Sequence, residues 1–176
     1  MNLNLTEEQR ILRETIRRFA QNELNQNNSV RDREHRFAPE LWSKCGEQLL
    51  QGLPVPPEHG GAGLDALSSA MALEALGYGC RDGGLVFSIC AHLLACVVPI
   101  WKHGSAEQRR RFLPGLCNGS LIAVNAMTES GTGSDAFAMT TRAVPDGAGF
   151  RINGAKIFCS NGPIADLAVV YAVTDP

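Results

Sequence analysis

Hydroxyls and glycines alternate between Thr128 and Asp135, where Thr128, Ser130, Thr132 and Ser134 interleave with Gly131 and Gly133. Glycine lets the backbone reach positive φ and approach a ligand closely, and consecutive N–H groups in such a loop form a concavity for anions. The chemistry on offer is the cradling of a phosphate or of the polar edge of a ring. The competing reading is a surface turn that needs glycine for steric reasons alone. A second polar segment, Lys156-Ile157-Phe158-Cys159-Ser160-Asn161-Gly162, follows the Asn153-Gly154 pair. Other constellations mislead. Gly131-x-Gly133-x-x-Ala136 and Gly61-x-Gly63-x-x-Ala66 fit the letters of a dinucleotide fingerprint. The first precedes β-like residues and the second follows a proline run, so neither has the strand–turn–helix context. His35, His59, His92 and His103 sit on separate elements without metal-ligand spacing, and no metal site is expected. Each reads as a surface or a satisfied core histidine.

The elements that must position these segments follow from periodicity. Leu121 to Met127 is short, mostly apolar and free of Gly and Pro, which predicts a buried strand leading into the hydroxyl-rich loop. Upstream, everything reads as helical. Thr6-Glu7-Glu8-Gln9 and Ser105-Ala106-Glu107-Gln108 have capping-box form, Pro39 suits a first helical turn, and Asp65 can cap the next helix. Asn25 to Arg36 reads as a polar loop. The prolines and glycines of Leu53 to Gly63 read as a joint that is rigid and then flexible. The stretch Leu85 to Trp101 is apolar nearly all round, which predicts a helix in the middle of the domain. After Gly119 the period changes to two. Met139–Val144, Phe150–Ile152, Ala155–Cys159 and Ala168–Val173 are strand candidates, with a turn at Pro145-Asp146-Gly147 and a two-residue hairpin at Asn153-Gly154. The expected fold class is α+β: an amino-terminal all-α domain over 1–119, then part of an antiparallel β domain over 120–176 that looks cut short.

The totals exclude several functions. The 176 residues are 44% hydrophobic and 19% charged, which suits a globular core, and the net charge of −2 gives no nucleic-acid footprint. The six cysteines occur singly, as expected for reduced, buried thiols of a cytoplasmic protein. No secretory signal is read at the amino terminus. No membrane span is expected either, because His92, Pro99 and the glycines of Gly83 to Trp101 favour a core helix.

Several ordered stretches together carry a resemblance. They are Pro57-Glu58-His59-Gly60-Gly61-Ala62-Gly63, Gly104-Ser105-x-Glu107-Gln108 with Leu113-Pro114, Met127-Thr128-Glu129 with Gly133-Ser134-Asp135, and Asn153-Gly154-x-Lys156 to Asn161-Gly162. In this order the chain resembles the amino-terminal helical domain and the first part of the β-sandwich or barrel domain of the acyl-CoA dehydrogenase family. The resemblance implies an FAD enzyme that removes two hydrogens across the α,β carbons of an acyl thioester. The flavin would lie between the β domain and a carboxyl-terminal four-helix bundle, which is missing from these 176 residues.

By resemblance, Met127 and Thr128 meet the polar edge of the isoalloxazine. Gly133 and Ser134 approach the pyrophosphate, and Ser134 also lies near the tail of the thioester. Phe158 lies against the ring, Cys159 follows it, Ser160 reaches toward N5, and Asn125 stands where an aromatic contact is common. Fixed donors aimed at N1/O2 and N5 stabilise the charge a reduced flavin gains there. Ser130 stands where the family usually has proline, Phe158 where tryptophan is frequent and Ser160 where threonine is frequent. The family's base is a carboxylate of the bundle, expected beyond Pro176, so no catalytic residue is assigned within this chain. The implied partners are an acyl-CoA or acyl-carrier-protein thioester, an electron-accepting flavoprotein or other acceptor, and copies of the chain in a dimer or tetramer. Two other readings stay open: a dehydrogenase for carrier-protein-bound acyl groups, and a truncated, non-catalytic subunit. Flavin oxygenation is disfavoured by the hydroxyls at Thr128 and Ser160.

Overall fold

The computed structural model describes residues 4–174. Helices α1 (Glu7–Glu23), α2 (Asn28–Arg33), α3 (Pro39–Glu47), α4 (Ala66–Gly79), α5 (Gly83–His92), α6 (Val98–His103) and α7 (Ala106–Cys117) precede strands β1 (Ala123–Ala126), β2 (Arg142–Asp146), β3 (Gly149–Asn153) and β4 (Leu167–Val170). Both capping boxes form. The Thr6 hydroxyl accepts from the Gln9 N–H at 3.2 Å and the Gln9 side chain accepts from the Thr6 N–H at 3.1 Å, with the same exchange between Ser105 and Gln108 at 3.1 and 2.8 Å. Asp65 caps α4 by accepting from the Ser68 N–H, and Asp82 caps α5 by accepting from the Leu85 N–H.

Buried Ile16 and Ala20 turn α1 onto α4. A side chain at Gly79 would lie 2.6 Å from the Arg17 carbonyl oxygen, so glycine lets these helices approach closely. Trp42, Leu50, Leu53, Leu76, Ile89, Leu93, Leu113 and Leu116 form the core between the helices. The glycines of the Pro57–Gly63 joint serve packing as much as freedom. A Cβ on Gly61 would collide with the Val55 carbonyl oxygen and stand 2.6 Å from that of Gly52. Gly61→Ala is therefore expected to cost about 1–3 kcal/mol through overpacking, read as a lower urea midpoint at unchanged slope.

Four expectations are corrected. The polar stretch Asn25–Arg36 contains α2, because Arg31 is buried there with Asp82 at 3.0 Å and the Leu24 and Gln26 carbonyls as partners. The apolar helix is continuous from Gly83 to His103 but is not enclosed all round. His92, Leu93, Cys96 and Val97 face the core, while Phe87 and Leu94 are exposed. By length and composition alone this helix could cross a membrane, although its inner face packs against α7 and β1. The β region is not purely antiparallel. β1 runs parallel to β4, from Ala123 beside Leu167 to Ala126 beside Val170, and only β2 and β3 pair antiparallel. Finally, the hairpin turn lies between Asp146 and Gly149, and Ala155–Cys159 forms no strand. At Gly154 φ is +156°, and a Cβ there would lie 2.7 Å from Thr141 Cα, so this glycine serves a close crossing and not a turn.

Candidate flavin-edge site

His92 sets the start of β1. Its Nδ1 accepts the Ala123 N–H at 3.0 Å, so the proton sits on Nε2, which donates to the Leu116 carbonyl at 3.0 Å. Trp42 packs edge-on against the imidazole at 5.1 Å and donates from Nε1 to the Gly119 carbonyl. Burial lowers the imidazole pKa to about 4, which keeps the ring neutral. The structure thus places His92 as a satisfied core group that joins α5, the end of α7 and β1.

The next support comes from Asn125. Between α5 and α6 the chain makes a π turn, Leu93–Val97, and Pro99 has no N–H to give to the Ala95 carbonyl four residues back. Asn125 Nδ2 donates to that carbonyl at 3.0 Å. In this residue, expected beside the cofactor, the side-chain amide is engaged with the helix. Asn125→Leu should leave the Ala95 oxygen short of a partner and cost about 1–3 kcal/mol, measured by urea unfolding.

Beyond β1 the two polar segments meet. The Ile157 N–H donates to the Thr128 carbonyl at 2.9 Å, and Lys156 Nζ donates to the Met127 carbonyl at 2.9 Å and to Glu129 Oε1 at 2.9 Å. Side chains of Glu129 and Lys156 are only 5% and 8% exposed, so this is a buried ion pair. Thr140 gives Glu129 its N–H and hydroxyl, each at 2.7 Å, and Thr141 gives its N–H at 2.8 Å. The Thr140 and Thr141 bonds, with that of Lys156, hold the Glu129 carboxyl well below the usual carboxylate range. A carboxyl held in this way supports the fold above its ordinary titration range, and that support fades as pH falls below it.

Downstream, Asn161 Nδ2 donates to the Ser88 carbonyl on α5 and to the Ala123 carbonyl on β1, fixing the second segment against both domains. Phe158 takes φ +54°, in the left-handed region, and its side chain is 87% exposed. Ser160 and Cys159 are half-buried, and the Ser160 N–H donates to the Phe158 carbonyl at 3.0 Å.

Met127, Thr128, Phe158, Cys159 and Ser160 are therefore brought together. Gly133 and Ser134 are exposed farther along the loop, and among the described residues no hydrogen bond ties them to 156–162. A Cβ on Gly131 or Gly133 would meet nothing within 4 Å, so that loop is open to a ligand. The sequence reading passed over the anchoring roles of Lys156 and Asn161. Their signal was a charged and an amide residue bracketing the short apolar run Ile157-Phe158-Cys159. Elsewhere, burial pushes the Cys45, Cys96 and Cys117 thiols up to about 12, which leaves them protonated, and no metal-binding cluster occurs among the described residues.

Comparison with known proteins places this arrangement. Residues 6–120 match the acyl-CoA dehydrogenase N-terminal domain, and residues 125–176 match the acyl-CoA dehydrogenase middle domain. An L-prolyl-[peptidyl-carrier protein] dehydrogenase of Serratia sp. is 43% identical over 176 residues, covering 100% of this chain and 46% of that protein. The short-chain specific acyl-CoA dehydrogenase of Clostridium acetobutylicum is 39% identical over 175 residues, covering 99% of this chain and 46% of its own length. Among solved structures, the FAD complex of PigA superposes with a TM-score of 0.96 at 43% identity, covering 100% of this chain and 46% of that one. The prolyl acyl carrier protein oxidase AnaB gives 0.93 at 40% identity, covering 98% and 46%. The chain spans less than half the length of these relatives. On two consecutive domain matches that together take in its helical and its β region, the chain belongs to the acyl-CoA dehydrogenase family.

Proposed function

We propose that this chain forms the flavin-edge part of an FAD-dependent dehydrogenase acting on the α,β carbons of an acyl thioester. The thioester is carried on a carrier protein, and its acyl group is prolyl, so that the bond to be desaturated lies in a ring. The observation that carries the reading is the Ile157–Thr128 bond, which sets Met127 and Thr128 beside Phe158 and Ser160 while the Phe158 ring stays exposed. Similarity to carrier-dependent relatives at 43% and 40% identity favours the carrier over CoA.

The residues fit the cofactor. Thr128 and Ser160 offer hydroxyls along one rim, Phe158 offers an apolar plane, and Gly133 and Ser134 leave room for phosphates. FAD, when bound, supplies the two-electron acceptor for the hydride leaving the β carbon. The chain's own work is to hold that rim rigid and to wall the acyl group with the exposed Phe87 of α5 and Leu94 of the π turn that follows it. Glu129 is not a base, because both its oxygens are engaged. The α proton passes to a carboxylate outside these residues. Asn125 acts through its hold on the π turn between α5 and α6.

The test is anaerobic mixing of the protein, at its full natural length and loaded with FAD, with prolyl-carrier thioester and separately with butyryl-CoA. Flavin bleaching by the prolyl thioester alone supports the reading. Bleaching by butyryl-CoA moves the substrate to CoA esters, and failure of the protein to retain FAD rejects the enzyme reading in favour of a non-catalytic subunit.

A further inference from the structure

The Met127–Thr128 peptide unit is asymmetric. Its carbonyl receives the Lys156 ammonium at 2.9 Å, whereas its N–H, on Thr128, meets no acceptor among the described residues. The peptide is trans, as no cis bond occurs among the described residues, so N–H and C=O point to opposite sides. The donor therefore faces away from Lys156. The other neighbours are already fixed: the Thr128 carbonyl accepts from Ile157, and the Glu129 carboxylate is engaged by Thr140, Thr141 and Lys156. An unpaired backbone donor held by a buried cation on the far end of its own peptide awaits an acceptor.

Resting on the proposed flavin reading, we propose that Lys156 is a positioning residue that tunes the cofactor through this peptide. Its charge polarises the Met127 carbonyl, strengthens the Thr128 N–H as a donor, and aims it at the N1/O2 side of the flavin. Chains of hydrogen bonds polarise one another, and the effect grows in a low-dielectric interior. The reduced flavin carries more charge at that side, so the bias favours the reduced state. Glu129 offsets part of the Lys156 charge and restrains its position. The two partners of the ion pair accordingly pull the flavin in opposite directions, although both support the same fold.

That opposition separates tuning from mere support. Midpoint potential and FAD affinity are measured by xanthine oxidase titration and by fluorescence on full-length protein, for wild type, Lys156→Met, Lys156→Arg and Glu129→Gln. Lys156→Met is expected to lower the preference for reduced over oxidised FAD about tenfold, a potential about 30 mV more negative. Lys156→Arg should stay near wild type, and Glu129→Gln should shift the potential the other way. If Lys156→Met does not fold, the sign for Glu129→Gln decides. A shift of the same sign in both variants, or an unchanged potential in Lys156→Met, overturns the tuning role while leaving the flavin reading intact. A wild-type protein that binds no FAD overturns both.

Discussion

His92→Leu is expected to remove about 4 kcal/mol of stability at neutral pH and, with it, most of the acid sensitivity between pH 6.5 and 4. The side chain is fully buried, and the variant strands two backbone groups, the Ala123 N–H and the Leu116 carbonyl. Each buried group left without a partner costs roughly 1–3 kcal/mol, which makes about 4 for the pair. The pH dependence follows from the imidazole pKa, lowered to about 4 from 6.5 chiefly by burial. Above pH 6.5 the ring is neutral in both folded and unfolded chains and adds no slope. Between 6.5 and about 4 the unfolded chain holds a proton that the folded chain excludes, so stability falls as pH falls. Across this window the loss is about 3 kcal/mol, and it levels off below the folded value. Wild type and variant should thus come within about 1 kcal/mol of each other near pH 4. Urea midpoints at pH 7.5, 5.5 and 4 check this, and an equally steep acid loss in the leucine variant would assign the slope to other groups.

What could be read from the sequence was what neighbours in the chain decide. Thr6 and Gln9 or Ser105 and Gln108 satisfy each other across three residues, so those helix starts are written locally. Strand pairing is different. β1 meets β4 in parallel, with Asp166 accepting the Ile122 N–H across 44 residues, and β1 is tied to α5 by His92, which accepts the Ala123 N–H across 31. No local pattern records either bond. Asn153-Gly154 misled for the same reason: its turn preference is real, but the close crossing with Thr141 and the reach of Lys156 to Glu129 outweigh it. Arg31 and Asp82, 51 residues apart, turn an apparent polar loop into α2. At the candidate site, the two segments that carry Thr128, Phe158 and Ser160 could be singled out by residue type and order. The buried ion pair that holds their segments together could not, because Glu129 and Lys156 look like solvated charges until 27 residues of chain bring them face to face.

Removing the two rim hydroxyls is the most direct challenge to the catalytic reading. The bonds that join the segments are the Ile157–Thr128 main-chain bond and those of the Lys156 side chain to Met127 and Glu129, none of which uses the Thr128 or Ser160 hydroxyl, so Thr128→Val and Ser160→Ala should leave the fold intact. On the proposed reading each deletes one donor to the side of the flavin where charge grows on reduction, and the loss of such a donor lowers turnover by roughly 10²-fold. FAD affinity should fall far less, because backbone N–H groups, the Phe158 plane and the phosphate loop are retained. The double variant then distinguishes two arrangements. Donors acting at separate ends of the ring multiply to about 10⁴, whereas donors that act as a unit give little more than either single loss. Stopped-flow flavin bleaching under single-turnover conditions reads the rates, with circular dichroism to confirm folding. Unchanged bleaching rates in both single variants would remove Thr128 and Ser160 from the chemistry, and the juxtaposition of their segments would then serve only to join β1 to the chain that follows β3.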